Sequence, residues 1–139
     1  MAPSSAQVAD RARCAVSASQ TRSQRGAATP LGDMAGVTET EVSVVTLAEL
    51  TLGVLMADDA ERAAGVAALS AVESTWDLLP VDAEVARQFA RIAAELRGRR
   101  RRVPVLDALV AATAAVEQMP VVTQDRDYDA IPGVEVIRV

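Results

Sequence analysis

The chain is 139 residues long, half of its residues are hydrophobic, and its formal net charge at pH 7 is −5. This length is enough for one domain with a buried core, and since aromatic residues make up only 2% of the sequence, that core must consist mainly of Ala, Val and Leu. There is no His, and Cys14 is the single cysteine, which excludes His-based catalysis, Ser-His-Asp triads, thiolate zinc sites and an internal disulfide. The remaining chemistry is that of carboxylates and hydroxyls, which suits hard cations such as Mg²⁺ or Mn²⁺.

The charge is unevenly distributed along the chain. Residues 1–29 contain four Arg and one Asp, a net charge of +3, whereas residues 30–139 contain ten Arg and eighteen acidic residues, a net charge of −8. An acidic body is not typical of a non-specific nucleic-acid binder, but metal ions bound at an acidic site would permit cleavage of nucleic acid. The sequence shows neither a membrane-spanning segment nor a signal peptide, so we expect a cytoplasmic protein that does not bind membranes.

Residues 1–29 have few large apolar side chains and are rich in Ala, Ser, Arg and Gln. Such a segment buries too little surface to offset the entropy that ordering costs, so we predict that it is mostly disordered or weakly helical. The fragment CAVSA, residues 14–18, is its only candidate strand, and a poor one. We therefore place a domain at residues 30–139, preceded by an atypical N-terminal segment.

Within this domain, helical and extended patterns alternate. Residues 42–45 are predicted to form a buried strand, and the helix that follows begins with a T-x-x-E capping box made by Thr46 and Glu49. Further helices are predicted at 58–73, at 82–98 and around Asp107, and further strands at 76–82, 121–125 and 134–139. The alternation predicts an α/β fold with a mostly parallel sheet that is covered by helices on both faces.

Several acidic residues lie at the ends of these elements. Asp107 occurs one turn into an otherwise apolar helix, and a carboxylate there is costly to bury unless a cation or hydrogen-bond donors meet it. Glu49 follows the 42–45 strand, and Thr123 and Asp125 end the strand that starts at residue 121. Sites in open α/β sheets form beyond the carboxyl ends of the strands, so these groups can converge and hold Mg²⁺ or Mn²⁺ for phosphodiester cleavage.

Each of these residues also has a simpler interpretation. Glu49 is accounted for by the capping box, and Asp107 by the dipole of the helix that it begins. Asp125, Asp127 and Asp129 are each compatible with turn formation alone. The four arginines at 99–102 are typical of a solvated surface, with RNA contact as the alternative. The large aromatic side chains are expected in the core rather than as stacking platforms: Trp76, Phe89 and Tyr128.

Three motifs occur together in the second part of the chain: T-x-A-E at 46–49, D-A-L-x-A-A at 107–112, and T-x-D-x-D-[FY] at 123–128. By their order and spacing, residues 30–139 resemble the VapC-type PIN-domain toxin ribonucleases. The resemblance implies a three-layer α/β/α sandwich, endoribonuclease activity that depends on Mg²⁺ or Mn²⁺, a cognate VapB-type antitoxin, a homodimer, and an RNA substrate such as tRNA. It also implies that Glu49, Asp107 and Asp125 are the catalytic and metal-binding acids, that Thr123 supports the site by hydrogen bonding, and that Asp127 is an auxiliary acid.

One part of the family pattern is missing. The family begins with an apolar strand that ends in Asp-Thr-Ser, and this Asp is a principal metal ligand. At the corresponding separation from the 42–45 strand, this chain has Ser17, Ala18 and Ser19. We therefore expect the first strand to be absent or replaced and assign its Asp to no residue. One hypothesis is that residues 1–29 arise from a frameshift or a misassigned start, which the coding DNA would decide.

Three functions are compatible with the sequence. The leading hypothesis is a toxin endoribonuclease of a type II toxin–antitoxin system. The second is a catalytically impaired PIN domain that only binds its antitoxin, and the third is an unrelated Mg²⁺-dependent phosphohydrolase acting on small phosphate esters.

Overall fold

The computed structural model describes residues 13–16 and 39–138. In chain order, the elements are β1 (Arg13–Val16), β2 (Glu39–Ser43), α1 (Val44–Met56), α2 (Asp59–Thr75), β3 (Asp77–Leu79), α3 (Ala83–Gly98), α4 (Val105–Val116), β4 (Val121–Thr123), a 3₁₀ helix (Arg126–Ala130) and β5 (Val136–Arg138).

The five strands form one sheet in the order β3-β2-β1-β4-β5, and every neighbouring pair is parallel. The chain first builds the sheet outward from β1 through β2 to β3, and then continues on the other side of β1 with β4 and β5. The direction of growth therefore reverses at β1, and the carboxyl ends of the strands around such a reversal form a crevice in open α/β sheets.

The core is made of small and medium aliphatic residues, as the composition predicts. The helix α4 has five apolar side chains that are at most 3% exposed: Ala108, Val110, Ala111, Ala112 and Ala114. These pack with α3 and β4 into the larger apolar cluster of the described residues, while Val42, Leu50 and Val72 form a smaller one between β2, α1 and α2. Since alanine side chains permit a close approach, α4 lies deep in the domain, and it brings Asp107 with it.

The parallel sheet and its helices confirm the predicted α/β fold class, but several element boundaries differ from the prediction. The strands predicted at 76–82, 121–125 and 134–139 are shorter, at Asp77–Leu79, Val121–Thr123 and Val136–Arg138. The boundary between β2 and α1 also differs. The strand β2 ends at Ser43, and the next helix begins at Val44, so residues 44 and 45 are helical rather than extended. The N-cap is Ser43, whose hydroxyl accepts from the Val45 amide at 3.1 Å. The predicted capping box of Thr46 and Glu49 is therefore wrong, because the helix begins one turn earlier, with Ser43 as its N-cap.

The first strand was expected to be absent or replaced, and of these two alternatives absence is wrong: a strand forms at Arg13–Val16, and it is followed by Ser17 rather than by the family's Asp. The strand β1 lies within the segment predicted to be disordered, and it occupies the centre of the sheet. Its partners explain this difference: β2 and β4 hydrogen-bond to its two edges, and these tertiary pairings outweigh a weak local preference for a strand. The rest of residues 1–29 and the boundary at residue 30 lie outside the described residues.

None of the helices in the described ranges combines the length and the apolar character that crossing a bilayer requires.

Candidate metal centre

Three carboxylates converge where the sheet reverses its direction of growth. Asp107 lies in the first turn of α4, and Asp125 and Asp127 lie just after β4. Each offers one oxygen, and these three oxygens lie within 4.8 Å of one another. Asp107 and Asp125 are partly buried, whereas Asp127 is exposed. Asp107 thus meets two residues that follow it by 18 and 20 positions in the sequence, and we call these three residues the acidic cluster.

The segment after β4 is shaped by hydrogen bonds of its own side chains. The buried Thr123 hydroxyl accepts from the Asp125 amide at 3.0 Å, and the Asp125 carboxylate accepts from the Asp127 amide at 2.9 Å. Asp125 therefore caps the 3₁₀ helix, which is a turn-forming role, while it also contributes an oxygen to the acidic cluster. The turn-forming interpretation of Asp125 is thus confirmed, and its metal-binding role stays a prediction. Asp129, in contrast, pairs with Arg138 and is not a member of the cluster.

The pKa of Asp107 reflects the crowding of acids around it. Burial raises the pKa of this carboxyl to about 6 from an ordinary 3.8, and the negative charges of Asp125, Glu49 and Asp127 act in the same direction. The accumulated repulsion is what a bound cation would relieve, because a positive charge among these oxygens stabilises their ionised form.

Glu49 projects from the second turn of α1 and is partly buried. It lies outside the cluster of three oxygens, yet it is near enough to Asp107 for its charge to raise the pKa of that residue. The structure thus brings Glu49 to the same region as the cluster, with α1 presenting it from the β2 side of the sheet.

Sequence reasoning missed the polar role of Tyr128. The residue is 2% exposed and packs in the larger apolar cluster, as predicted for a core aromatic, but its hydroxyl also donates to Asp107 Oδ1 at 3.5 Å. Burial, followed by the charge of Asp107, raises the pKa of Tyr128, so the phenol stays protonated and remains a donor. The signal was its position in the T-x-D-x-D-[FY] motif, in which a Tyr differs from a Phe by this hydroxyl.

The donor set fits a small divalent cation. Mg²⁺ binds oxygen ligands at about 2.1 Å, so two of its ligands lie about 3 to 4 Å apart, and the three oxygens, all within 4.8 Å of one another, are close to that spacing. All the donors are carboxylates, which Mg²⁺ and Mn²⁺ prefer over softer ligands. The cluster is incomplete in one respect, since β1 ends beside β4 at Val16 and the next residue in the sequence is Ser17 rather than an acid.

Comparison with known proteins gives three concordant similarities. The PIN domain family model matches residues 20–134. The sequence is 42% identical over 98 residues to Ribonuclease VapC4 of Mycobacterium tuberculosis, which covers 70% of this chain and 75% of that protein. It is 46% identical over 101 residues to Ribonuclease VapC5 of the same organism, which covers 70% and 74%.

The structure is similar to a chain in the crystal structure of VapBC-5 from Mycobacterium tuberculosis, a member of the VapBC family of toxin–antitoxin systems. The TM-score is 0.79 at 37% identity, and the superposition covers 92% of this chain and 99% of the other.

Proposed function

The chain belongs to the PIN-domain family of VapC-type toxin ribonucleases, and we propose that it is itself a toxin endoribonuclease that uses Mg²⁺ or Mn²⁺ and is paired with a VapB-type antitoxin. The single observation that supports this most directly is the acidic cluster, whose three carboxylate oxygens lie within 4.8 Å of one another at the reversal point of the sheet. Neutral side chains there would bind a divalent cation more weakly, because they lack the negative charge of a carboxylate.

In this proposal, Asp107, Asp125 and Asp127 hold the cation. Once bound, Mg²⁺ or Mn²⁺ would lower the pKa of a water molecule and neutralise charge on the phosphodiester. Glu49 faces the same region from α1, where it would accept a hydrogen bond from a water molecule and orient it.

The remaining contacts hold the acids in place. The hydrogen bond from Tyr128 orients Asp107, and the bond between the Asp125 amide and Thr123 holds the start of the 3₁₀ helix against β4. Contacts of this kind limit the rotation of metal ligands and thereby favour binding.

The test is cleavage of RNA by the purified chain with Mn²⁺, compared with an Asp107→Asn variant. Asn keeps the size of the side chain but removes its charge, and we expect cleavage to fall by about 100-fold or more. The matched control is Asp59→Asn, which removes the same charge from an exposed residue at the start of α2. Equal cleavage by the wild type and Asp107→Asn would contradict the proposal, as would an absence of Mn²⁺-dependent cleavage by the wild type.

A second candidate, an impaired copy that only binds its antitoxin, is favoured by one observation. The central strand β1 ends with no acid after it, so the cluster lacks the family's first Asp. Fewer anionic ligands bind Mg²⁺ more weakly.

The variant Ser17→Asp tests this second candidate, because it restores an acid after β1. If the chain is impaired, the variant binds Mn²⁺ more tightly by calorimetry and cleaves RNA at least about tenfold faster. Ser74→Asp, which adds the same charge to an exposed position of α2, should change neither quantity. Equal activity of the wild type and Ser17→Asp would reject the impaired copy.

A further inference from the structure

A groove with a volume of about 470 Å³ lies between the carboxyl half of α3 and the start of α4. Its floor is apolar and includes Phe89, Leu96 and Val105. Three guanidinium side chains also line it, from Arg97, Arg101 and Arg102. We call this feature the arginine groove. It combines a concentration of positive charge with an aromatic ring on a domain that is otherwise acidic.

The backbone after α3 brings these arginines together. Arg100 adopts a left-handed conformation with φ of 53°, and the Arg101 amide donates to the Leu96 carbonyl at 2.9 Å. This pattern ends the helix and turns the chain back toward it, so that Arg101 and Arg102 lie beside Arg97. A non-glycine residue in this conformation is disfavoured, which makes the turn a specific feature rather than a default.

The arginines of the groove are available for a ligand. Arg99, which lies between them in the sequence, forms an ion pair with Glu95 at 2.5 Å. Arg97, Arg101 and Arg102 make no ion pair with any residue of the range 39–138, and all three are exposed. Their positive charge is therefore not cancelled by a neighbouring carboxylate in that range.

The groove begins beside the acidic cluster. Val105 and Ala108 line the groove, and Asp107 lies between them in the same helical turn, with its side chain on another side of α4. A turn of α-helix advances only about 5 Å, so a polymer with its scissile phosphate at Asp107 would place adjoining nucleotides near the groove.

We propose that the arginine groove binds the RNA strand next to the scissile phosphodiester, with phosphates on Arg97, Arg101 and Arg102 and a base against Phe89. This inference rests on the proposed ribonuclease function. Guanidinium groups bind phosphate oxygens in a bidentate manner, and aromatic rings stack on bases of any sequence. A second copy of the chain is a poorer occupant, since a symmetric contact through this face would set the arginines of one copy against those of the other.

The test measures binding of a fluorescent single-stranded RNA oligonucleotide in EDTA, so that affinity is read without cleavage. The variant Arg101→Gln with Arg102→Gln should bind at least about tenfold more weakly at 50 mM salt. The slope of log affinity against log salt should decrease in magnitude by about 1.4, since each lost phosphate contact to a single strand accounts for about 0.7. A separate Phe89→Leu variant keeps an apolar side chain and should weaken binding about fivefold through loss of stacking.

The matched control is Arg87→Gln with Arg91→Gln, which removes the same charge from exposed residues on the opposite face of α3. It should leave affinity and slope near the wild-type values, and urea unfolding should show that both double variants are folded. Unchanged affinity in the groove variant, or equal weakening in both double variants, would overturn the proposal. A wild type that binds no RNA would also overturn the proposal, and a protein segment would then be the remaining candidate ligand of the groove. Failure of the ribonuclease function is distinguishable, because it would appear as RNA bound in EDTA but not cleaved with Mn²⁺.

Discussion

At Asp107, burial of a carboxylate and the approach of other acids act in the same direction. Both raise the pKa of this residue, and the hydrogen bond from Tyr128 lowers it without reversing the shift. A partly buried carboxylate that keeps its charge under these conditions reduces the stability of the chain when no cation is present. The same energetic cost makes the residue responsive to a cation, because binding removes the repulsion.

This argument predicts how stability depends on pH in the absence of metal. The pKa of Asp107 is about 6 in the folded chain against 3.8 as its ordinary value, so between about pH 4 and pH 6 the folded state holds more protons than the unfolded state. The contribution of this residue to the free energy of unfolding therefore rises as the pH falls through this window. Asp107→Asn, which has no charge to bury, should be more stable than the wild type by about 1–2 kcal/mol at pH 7.5, after allowance for solvent screening.

The measurement is urea unfolding of both chains in EDTA from pH 4 to pH 8. The difference between Asp107→Asn and the wild type should shrink toward pH 4, where the Asp107 carboxyl of the folded chain is protonated and therefore neutral, like Asn. A constant difference across the range would contradict the assignment of the raised pKa to this residue.

At the scale of elements, the helices α1 and α2 approach each other closely at Gly65 of α2 and Val54 of α1. Gly65 is buried in α2, and a Cβ built there would lie 3.0 Å from Cγ2 of Val54 in α1. Gly53, in α1, has nothing within 4 Å of such an atom. At Gly65, packing against α1 therefore leaves no room for a larger side chain, whereas at Gly53 it leaves room for one.

Alanine substitution separates these two glycines. Gly53→Ala should raise the free energy of unfolding by about 0.5–1 kcal/mol, because alanine favours the helical backbone and meets no neighbour. Gly65→Ala gains the same propensity but overpacks against Val54, and we expect a net loss of about 1 kcal/mol. Urea unfolding of the two variants provides the comparison, and stabilisation by Gly65→Ala would show that the helices separate at little cost.

The elements also show where prediction from sequence is dependable. The helices α2 and α3 begin within a residue of the predicted positions, because their starts carry local signals: Asp58 and Asp82 accept hydrogen bonds from the Glu61 and Val85 amides, respectively. The sequence predicts the start of α1 at Thr46, although Ser43 and Thr46 are both acceptable N-caps. In the structure, β2 pairs with β3 up to Ser43, and the helix begins directly after this residue.

At the scale of the whole molecule, the domain is acidic and its fold draws carboxylates from separate parts of the chain into one place. Asp107 comes from α4, Asp125 and Asp127 follow β4, and Glu49 faces them from α1. A divalent cation that binds this arrangement binds the folded state only, since the unfolded chain does not assemble it. Metal binding and folding are therefore thermodynamically linked.

Addition of Mn²⁺ should accordingly stabilise the chain. At 100 times the dissociation constant, the free energy of unfolding should increase by about 2.7 kcal/mol, which corresponds to roughly 10 °C in Tm for a domain of this size. The measurement is thermal unfolding followed by circular dichroism, with NaCl of equal ionic strength as the control for screening. Asp107→Asn should lose most of the shift, and an equal shift in that variant would place the cation elsewhere.

The sequence by itself determined the chemistry and the class of fold. Without His and with one Cys, only carboxylates were available to bind a metal, and the alternation of patterns after residue 42 indicated a parallel sheet, because both follow from residue type and local periodicity. Tertiary structure alone decided that β1 forms, since a strand with weak local preference is held by hydrogen bonds to β2 and β4. Tertiary structure alone also decided that Asp125 and Asp127 lie beside Asp107. Asp129, from the same segment, pairs with Arg138 instead. Distances between separate elements depend on how those elements pack, and no local sequence pattern encodes this packing.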